Sequence, residues 1–414
     1  MVRARAIVLL SAAALLAPAC TAPETGEEEG ASITFNVSLA EEEQAGMQDV
    51  TDAFSQDTGI EVRLSNVASE DMPQKLQTEV DSGNNTIHLI SMDNNALPAL
   101  VDPGLVQDVG DVEIPSEVNE ALIPAQFDGT TYFLPFRPNV RVAYANTQQL
   151  EQTGVSPPQT VEEYRAMAET FAQETGQPRV TVSLAEGTSA PVVISEWILA
   201  FGGDPVVLND QSSVEAMTFL QQMWNEGLLA EESLQAEFDT EVDNLRGETA
   251  YYAQNWPFTS SIFSEEGVLE LFTVDHGWAG PAGEFHVIGG DVLGIPTGVE
   301  GEQRDAAAQL AEFLMGQEAQ SILAETNAWP SIRDDATQEV PAEFEGTFTA
   351  VQEALANGWY RPSVSYWPDV EEAMNEVVRR ILQGGEDPQT VLDELSATVE
   401  QAAQDSGDPY PPEQ

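Results

Sequence analysis

The chain is poor in the residues on which most site chemistry depends. Its 414 residues include one cysteine and three histidines, and only 14 lysines and arginines together. A single thiol, Cys20, excludes an internal disulfide framework and any cysteine-based metal cluster. His88, His276 and His286 lie far apart in sequence and do not offer the clustered imidazoles of a zinc or manganese site. No G-x-S-x-G elbow, P-loop, H-E-x-x-H or D-x-[DN]-x-[DN]-G calcium loop is present, so no catalytic residue, metal or cofactor is assigned. Aromatics make up 7% of the chain. Past the first twenty residues no apolar run approaches the ~20 residues that span a bilayer as a helix.

Acid is what the chain has in abundance. Seventy-one Asp and Glu give a formal net charge of −57. Such a surface repels nucleic acids and anionic headgroups, which excludes a nucleic-acid partner. The acids are dispersed between apolar periodic positions rather than collected in a tail, and Lys75 is the only lysine. That pattern points to adaptation to high salt, where the Debye length falls to ~3 Å at 1 M and self-repulsion is screened. At 42% hydrophobic the chain can build a large core, and its length predicts two lobes of ~150–200 residues.

The first thirty residues carry Arg3 and Arg5, an apolar stretch over 6–16, then Ala17, Pro18 and Ala19 before Cys20 and the polar run TAPETGEEEG. The stretch is too short to span a membrane and reads as an export signal. It resembles a bacterial lipoprotein signal, which implies cleavage after residue 19, lipidation of Cys20 and a linker over 20–30. The plainer alternative is a cut near Ala19 that leaves an idle thiol.

From residue 32 the pattern alternates. SITFNVSL reads as a strand, and EEEQAGMQDVTDAFSQDTG as a helix with Met47, Val50 and Phe54 at helical spacing and Gly59 as its stop. IEVRLSNV, SEDMPQKLQTEVDSG and TIHLISM follow as strand, helix and strand. This β-α-β-α-β order predicts a parallel sheet with ligand groups at the carboxyl ends of its strands. TTYFLPFRPNVRVAYAN is broken by Pro135 and Pro138, so it suits a chain leaving one sheet for another. Capped helices fill most of 147–285, HVIGGDVLGIPTG repeats the glycine-marked strand, and the region past residue 344 is almost wholly helical.

Four stretches taken in order resemble the extracellular solute-binding proteins of ATP-binding-cassette importers, in particular the maltose- and trehalose-type sugar binders. They are ITFNVSLAEEEQAGMQDVTDAFSQDTGIEV, FDGTTYFLPFRPNVRVAYANTQQLEQTG, LRGETAYYAQNWPFTSSI and GWYRPSVSYWPDVEEAMNEVVRRILQGGEDPQTVLDEL. The resemblance implies an α/β two-lobed clamshell, each lobe a mainly parallel sheet flanked by helices, with crossings near 136–142, 288–295 and 327–333. The first lobe would span 31–138 plus 292–330, the second 139–291 plus 331–405, with a tail over 406–414.

Sugar rings present an apolar C–H face and an edge of hydroxyls, so their sites need flat aromatics and planar polar groups. The resemblance puts stacking rings at Trp256, pinned by Pro257, and at Tyr366 and Trp367 before the terminal helix. Strand ends supply Glu41, Glu42, Asp93 and Asn94 as polar candidates, although acids there also cap helices without any ligand. Arg137 sits between two prolines at the first crossing, and Arg361 precedes Pro362; either guanidinium could fork onto a carboxylate or a pair of hydroxyls. Trp197 and Trp224 read as core.

These readings combine into an extracytoplasmic, lipid-anchored, monomeric receptor on the outer face of the cytoplasmic membrane or in the periplasm. It would capture a sugar or oligosaccharide and pass it to an ABC-type permease, without catalysis. The alternatives are the same fold holding a polyamine, peptide or opine, or a glycosidase with paired carboxylates.

Overall fold

The computed structural model describes residues 32–412 except 38, 40–43, 69–70, 95–96, 125, 128, 328, 334 and 336–339. The signal and anchor reading at 1–30, with Cys20, lies outside the described residues, as do Glu41 and Glu42. No described helix is long and apolar enough to cross a membrane.

The opening alternation gives β1 (Ser32–Asn36), α1 (Gln44–Thr58), β2 (Glu61–Ser65), α2 (Met72–Ser82), β3 (Leu89–Asp93) and the short α3 (Pro98–Val101). β1 pairs in parallel with both β2 and β3. In α1 the spacing of Met47, Val50 and Phe54 makes one fully buried stripe, and Gly59 ends the helix at a φ of +76°. His88 is buried beside the sheet and its Nδ1 accepts the Thr34 N–H at 2.8 Å. β4 (Leu134–Asn139) then closes one edge, and the chain enters a second sheet at β5 (Val142–Asn146).

The second lobe continues with α4 (Thr147–Thr153), α5 (Val161–Thr175), α6 (Ser189–Phe201), α7 (Gln211–Asn225), α8 (Phe238–Arg246), β6 (Tyr252–Asn255), α9 (Phe258–Glu265) and β7 (Phe272–Asp275). Its helices start where the sequence supplies caps. The Thr160, Asp210 and Asp387 side chains each accept a first-turn N–H, and Gly176 and Gly407 close helices in the left-handed region. α6 is buried along nearly its whole length, its polar Ser189, Ser195 and Glu196 included, and is central to this lobe. Trp197 lies in that core at 2% exposure, and Trp224 packs against it.

The chain returns through β8 (His286–Val287) to β9 (Gly289–Gly294) in the first sheet, then adds α10 (Gly301–Leu314) and α11 (Gln317–Asn327). It crosses a last time to α12 (Glu345–Leu355), β10 (Gly358–Trp359), α13 (Trp367–Val377) and α14 (Pro388–Ser406). The first sheet has the order β2-β1-β3-β9-β4 and the second β6-β5-β7. β9 runs antiparallel between β3 and β4, and β5 runs antiparallel between β6 and β7.

The architecture is the expected two-lobed α/β one, with one difference. In the first sheet two of the four pairings are parallel and the two made by β9 are antiparallel; every pairing in the three-stranded second sheet is antiparallel. The physical reason is the same in both lobes. A strand that has just crossed from the other lobe enters against the direction of its new neighbours, and in a three-stranded sheet one such central strand reverses every pair.

Candidate interlobe binding site

The sheet register builds one wall of the site. Asp93 ends β3, Asp291 lies opposite it on β9, and Arg137 lies opposite Asp291 on β4, so three charged residues sit side by side across adjacent strands. Arg137 Nη2 reaches Asp291 Oδ2 at 3.2 Å, and the Ser91 hydroxyl donates to the same oxygen at 2.9 Å. The Arg137 guanidinium also lies 4.2 Å from the ring centroid of Trp329, which follows α11 at the last crossing. A guanidinium held by a carboxylate on one side and an indole face on the other keeps one orientation.

Two glycines of β9 make this geometry possible. A Cβ on Gly290, whose φ is +89°, would overlap the Arg137 carbonyl oxygen. A Cβ on Gly289 would lie 2.8 Å from Trp256 Cη2. The strand therefore approaches both β4 and the indole as closely as backbone alone allows.

The second lobe supplies the opposite wall. Trp256 directly follows β6, where the buried Asn255 accepts the Trp256 N–H through Oδ1 at 2.9 Å and donates to the Phe238 carbonyl at 2.8 Å. That one amide fixes Trp256 against Phe238, and their rings meet edge to face at 5.5 Å. Phe238 and Asp239 open α8, Pro257 and Phe258 open α9, and Thr188 precedes α6. All five line, with Trp256, Trp329 and the Arg137 wall, a cavity of about 380 Å³.

Arg361 comes from the segment between β10 and α13 and is 8% exposed. Its Nη2 donates to Asp93 Oδ1 at 3.2 Å and to Asn94 Oδ1 at 2.9 Å, both on the first lobe. Asn94 Nδ2 in turn donates to the Ile288 carbonyl at 3.2 Å, where the chain crosses into β9. Behind the site, buried Arg141 pairs with Glu196, whose other oxygen accepts the Val287 N–H at 3.1 Å, so one ion pair ties the first crossing to the second. Burial also pushes the carboxyl of Glu241, on α8, up to about 7 despite hydrogen bonds and Arg141 nearby.

The structure thus brings Trp256, Arg137, Asp93 and Arg361 to one cavity, with Asn94 bonded to Arg361. It does not bring Tyr366 and Trp367 there. Tyr366 is 1% exposed and Trp367 3%, both in the core of the second lobe. Trp367 begins α13 on the stripe shared with Val370 and Met374, and its indole N–H donates to Glu371 at 2.8 Å. Sequence reasoning missed Trp329, Asp291, Phe238 and Asp239. The Trp-Pro pair at 329–330 was a signal for Trp329, since an indole fixed by proline at a crossing has the same form as Trp256 with Pro257. Asp291 and Asp239 carry none in so acidic a chain. Among the described residues no group of three His, Cys, Asp or Glu is placed to hold a metal ion.

Residues 49–350 match the family described as bacterial extracellular solute-binding protein. The chain belongs to that family. Solved structures agree on the fold at low sequence identity. Maltose-bound MalE3 of T. maritima is 20% identical, with a TM-score of 0.77 over 90% of this chain and all of its own. The GacH receptor of Streptomyces glaucescens is 16% identical, with a TM-score of 0.77 over 91% of this chain and 99% of its own. The cyclic alpha-maltosyl-1,6-maltose binding protein of Arthrobacter globiformis is 19% identical, with a TM-score of 0.77 over 91% and 100%. No curated protein matches by sequence. Membership places this solute-binding protein outside the cytoplasm and in a family that binds rather than converts.

Proposed function

We propose that this solute-binding protein captures a sugar or oligosaccharide and delivers it to an ABC-type permease, as a monomer tethered through a lipid on Cys20. The observation that carries the reading is the composition of the cavity. Rings of Trp256, Trp329 and Phe238 share it with the planar groups of Arg137, Asp291 and Asp93. Flat apolar faces with fixed forks are what a pyranose needs for its C–H face and its hydroxyl edge. The neighbours bound to maltose and to an acarbose homologue support the same class. The basic and apolar residues before Cys20 support the tether.

A polyamine fits less well. Asp291 and Asp93 are engaged by Arg137 and Arg361, which leaves Asp239 as the lining carboxylate without an arginine. A polycation would find too little unbalanced charge there.

The net charge of −57 supports work in strong salt, so the test is a thermal-shift screen of the mature domain in about 1 M salt, where the Debye length is ~3 Å. Neutral mono- and oligosaccharides are set against amino acids and polyamines. A bound sugar at a hundred times its Kd adds about 2.7 kcal/mol of stability. Trp256→Ala should remove that shift while lowering the ligand-free melting point by only about 2–4 °C, the equivalent of ~1 kcal/mol. Stabilisation by a polyamine and by no sugar overturns the reading.

A further inference from the structure

Arg361 holds a position that binding alone does not explain. It belongs to the second lobe, yet both of its charge-assisted partners, Asp93 and Asn94, end a strand of the first. Its neighbour Tyr360 makes a second bond across the cleft, its hydroxyl donating to the Leu122 carbonyl at 3.4 Å. On its own lobe Arg361 is backed by Glu371, whose carboxyl burial pushes up in pKa while the Trp367 indole N–H and the guanidinium oppose that shift. The side chain is buried, and its Nε has no hydrogen-bond partner.

Arg361 also borders two cavities. One is the cavity of about 380 Å³ described above. The other, of about 610 Å³, is lined by Phe127 from the first lobe and by Trp359, Tyr360 and Pro362 from the second. Arg361 is thus part of the wall of both spaces, and its bonds to Asp93 and Asn94 fix its guanidinium.

We propose that Arg361 is a clasp between the lobes that holds the cleft closed before solute arrives and, as part of the wall of both cavities, sets the length of solute the cleft accepts. A short solute fills the first cavity with the clasp shut. A longer one must turn the guanidinium away from Asp93 and Asn94 to reach the second. The length clause rests on the sugar reading above; the clasp does not.

The test has a ligand-free arm and a binding arm, both on the full mature domain. By small-angle scattering without ligand, Arg361→Gln should show a larger radius of gyration than wild type, and Arg361→Lys, which keeps the charge but not the fork, an intermediate one. Equal radii overturn the clasp. Should Arg361→Gln fail to fold, Asn94→Ala removes an acceptor from the opposite lobe and must expand the cleft in the same sense. In the binding arm, maltose and maltopentaose are the probes. Losing the closed population should weaken maltose about tenfold, since apparent affinity scales with the competent fraction, and maltopentaose clearly less. Equal weakening of both overturns the length role. Absence of binding by either sugar in wild type counts against the sugar reading, and the scattering result then decides the clasp alone.

Discussion

The two lobes reach the cavity by different means. The first brings charged side chains on strands: Asp93, Asp291 and Arg137 stand in register across β3, β9 and β4. The second brings chiefly rings at element ends, Trp256 after β6, Phe238 opening α8 and Phe258 opening α9, beside the charged Asp239 and Arg361, while Trp329 is the ring the first lobe adds. Strand register fixes a side chain to within a pleat, which suits groups whose hydrogen bonds are directional. Ring stacking tolerates more play, so rings can sit where loops meet helices. The division of labour follows from which contact demands the tighter placement.

The sharpest way to break the contrast is to disturb the strand register. Gly290→Ala places a methyl at a φ of +89° against the Arg137 carbonyl and should cost about 2–4 kcal/mol, strain and overpacking together. A denaturation curve would show it, and an unchanged midpoint would mean that β9 does not need its close approach. Exchanging group types between the lobes has a smaller effect. Arg137→Lys and Phe238→Leu should each weaken sugar binding about tenfold, or 1.4 kcal/mol, but only the first should relax discrimination against deoxy analogues. Calorimetry against a hydroxyl-deleted series separates them; identical profiles would erase the distinction between forks and faces.

The smallest effect concerns pH. Glu241 carries a folded value of about 7 against an ordinary 4.5, so the folded state binds the extra proton between those limits. Stability from this group is complete below about 4.5 and is lost as pH rises to about 7. Asp275, raised by burial to about 6, acts in the same sense on the same lobe. Glu241→Gln should therefore flatten, though not abolish, the fall in melting temperature over that range. An unchanged slope would mean that the carboxyl ionises without cost.

Much of the architecture was legible because local signals agreed. The β1 to β3 alternation, the Met47, Val50 and Phe54 stripe and the caps at Thr160, Asp210 and Asp387 each have a short-range cause. Strand direction in the second sheet was not legible, because β6 and β7 are four residues each and carry no mark of which way their neighbour runs. The site divides in the same way. Trp256 and Arg137 stand beside prolines, Arg137 at a chain crossing and Trp256 at the end of β6, and announced themselves. Tyr366 and Trp367 looked equivalent, yet Tyr366 at the start of α13 and Trp367 on its first turn face the core, and the face a helix buries is invisible without the partner surface.

The sequence by itself determined the acidic composition, the helices with their caps and the proline-marked break at 135–138 where the chain leaves its first sheet. Each of these follows from composition or from interactions within a few residues. Only the tertiary structure decided that Asp291 meets Arg137 and that Trp329 lies under the same guanidinium. It also decided that Arg361 reaches across to Asp93. Those partners are separated by 154 residues or more in the ion pairs, and their meeting depends on a strand that enters its sheet backwards, which no local pattern encodes.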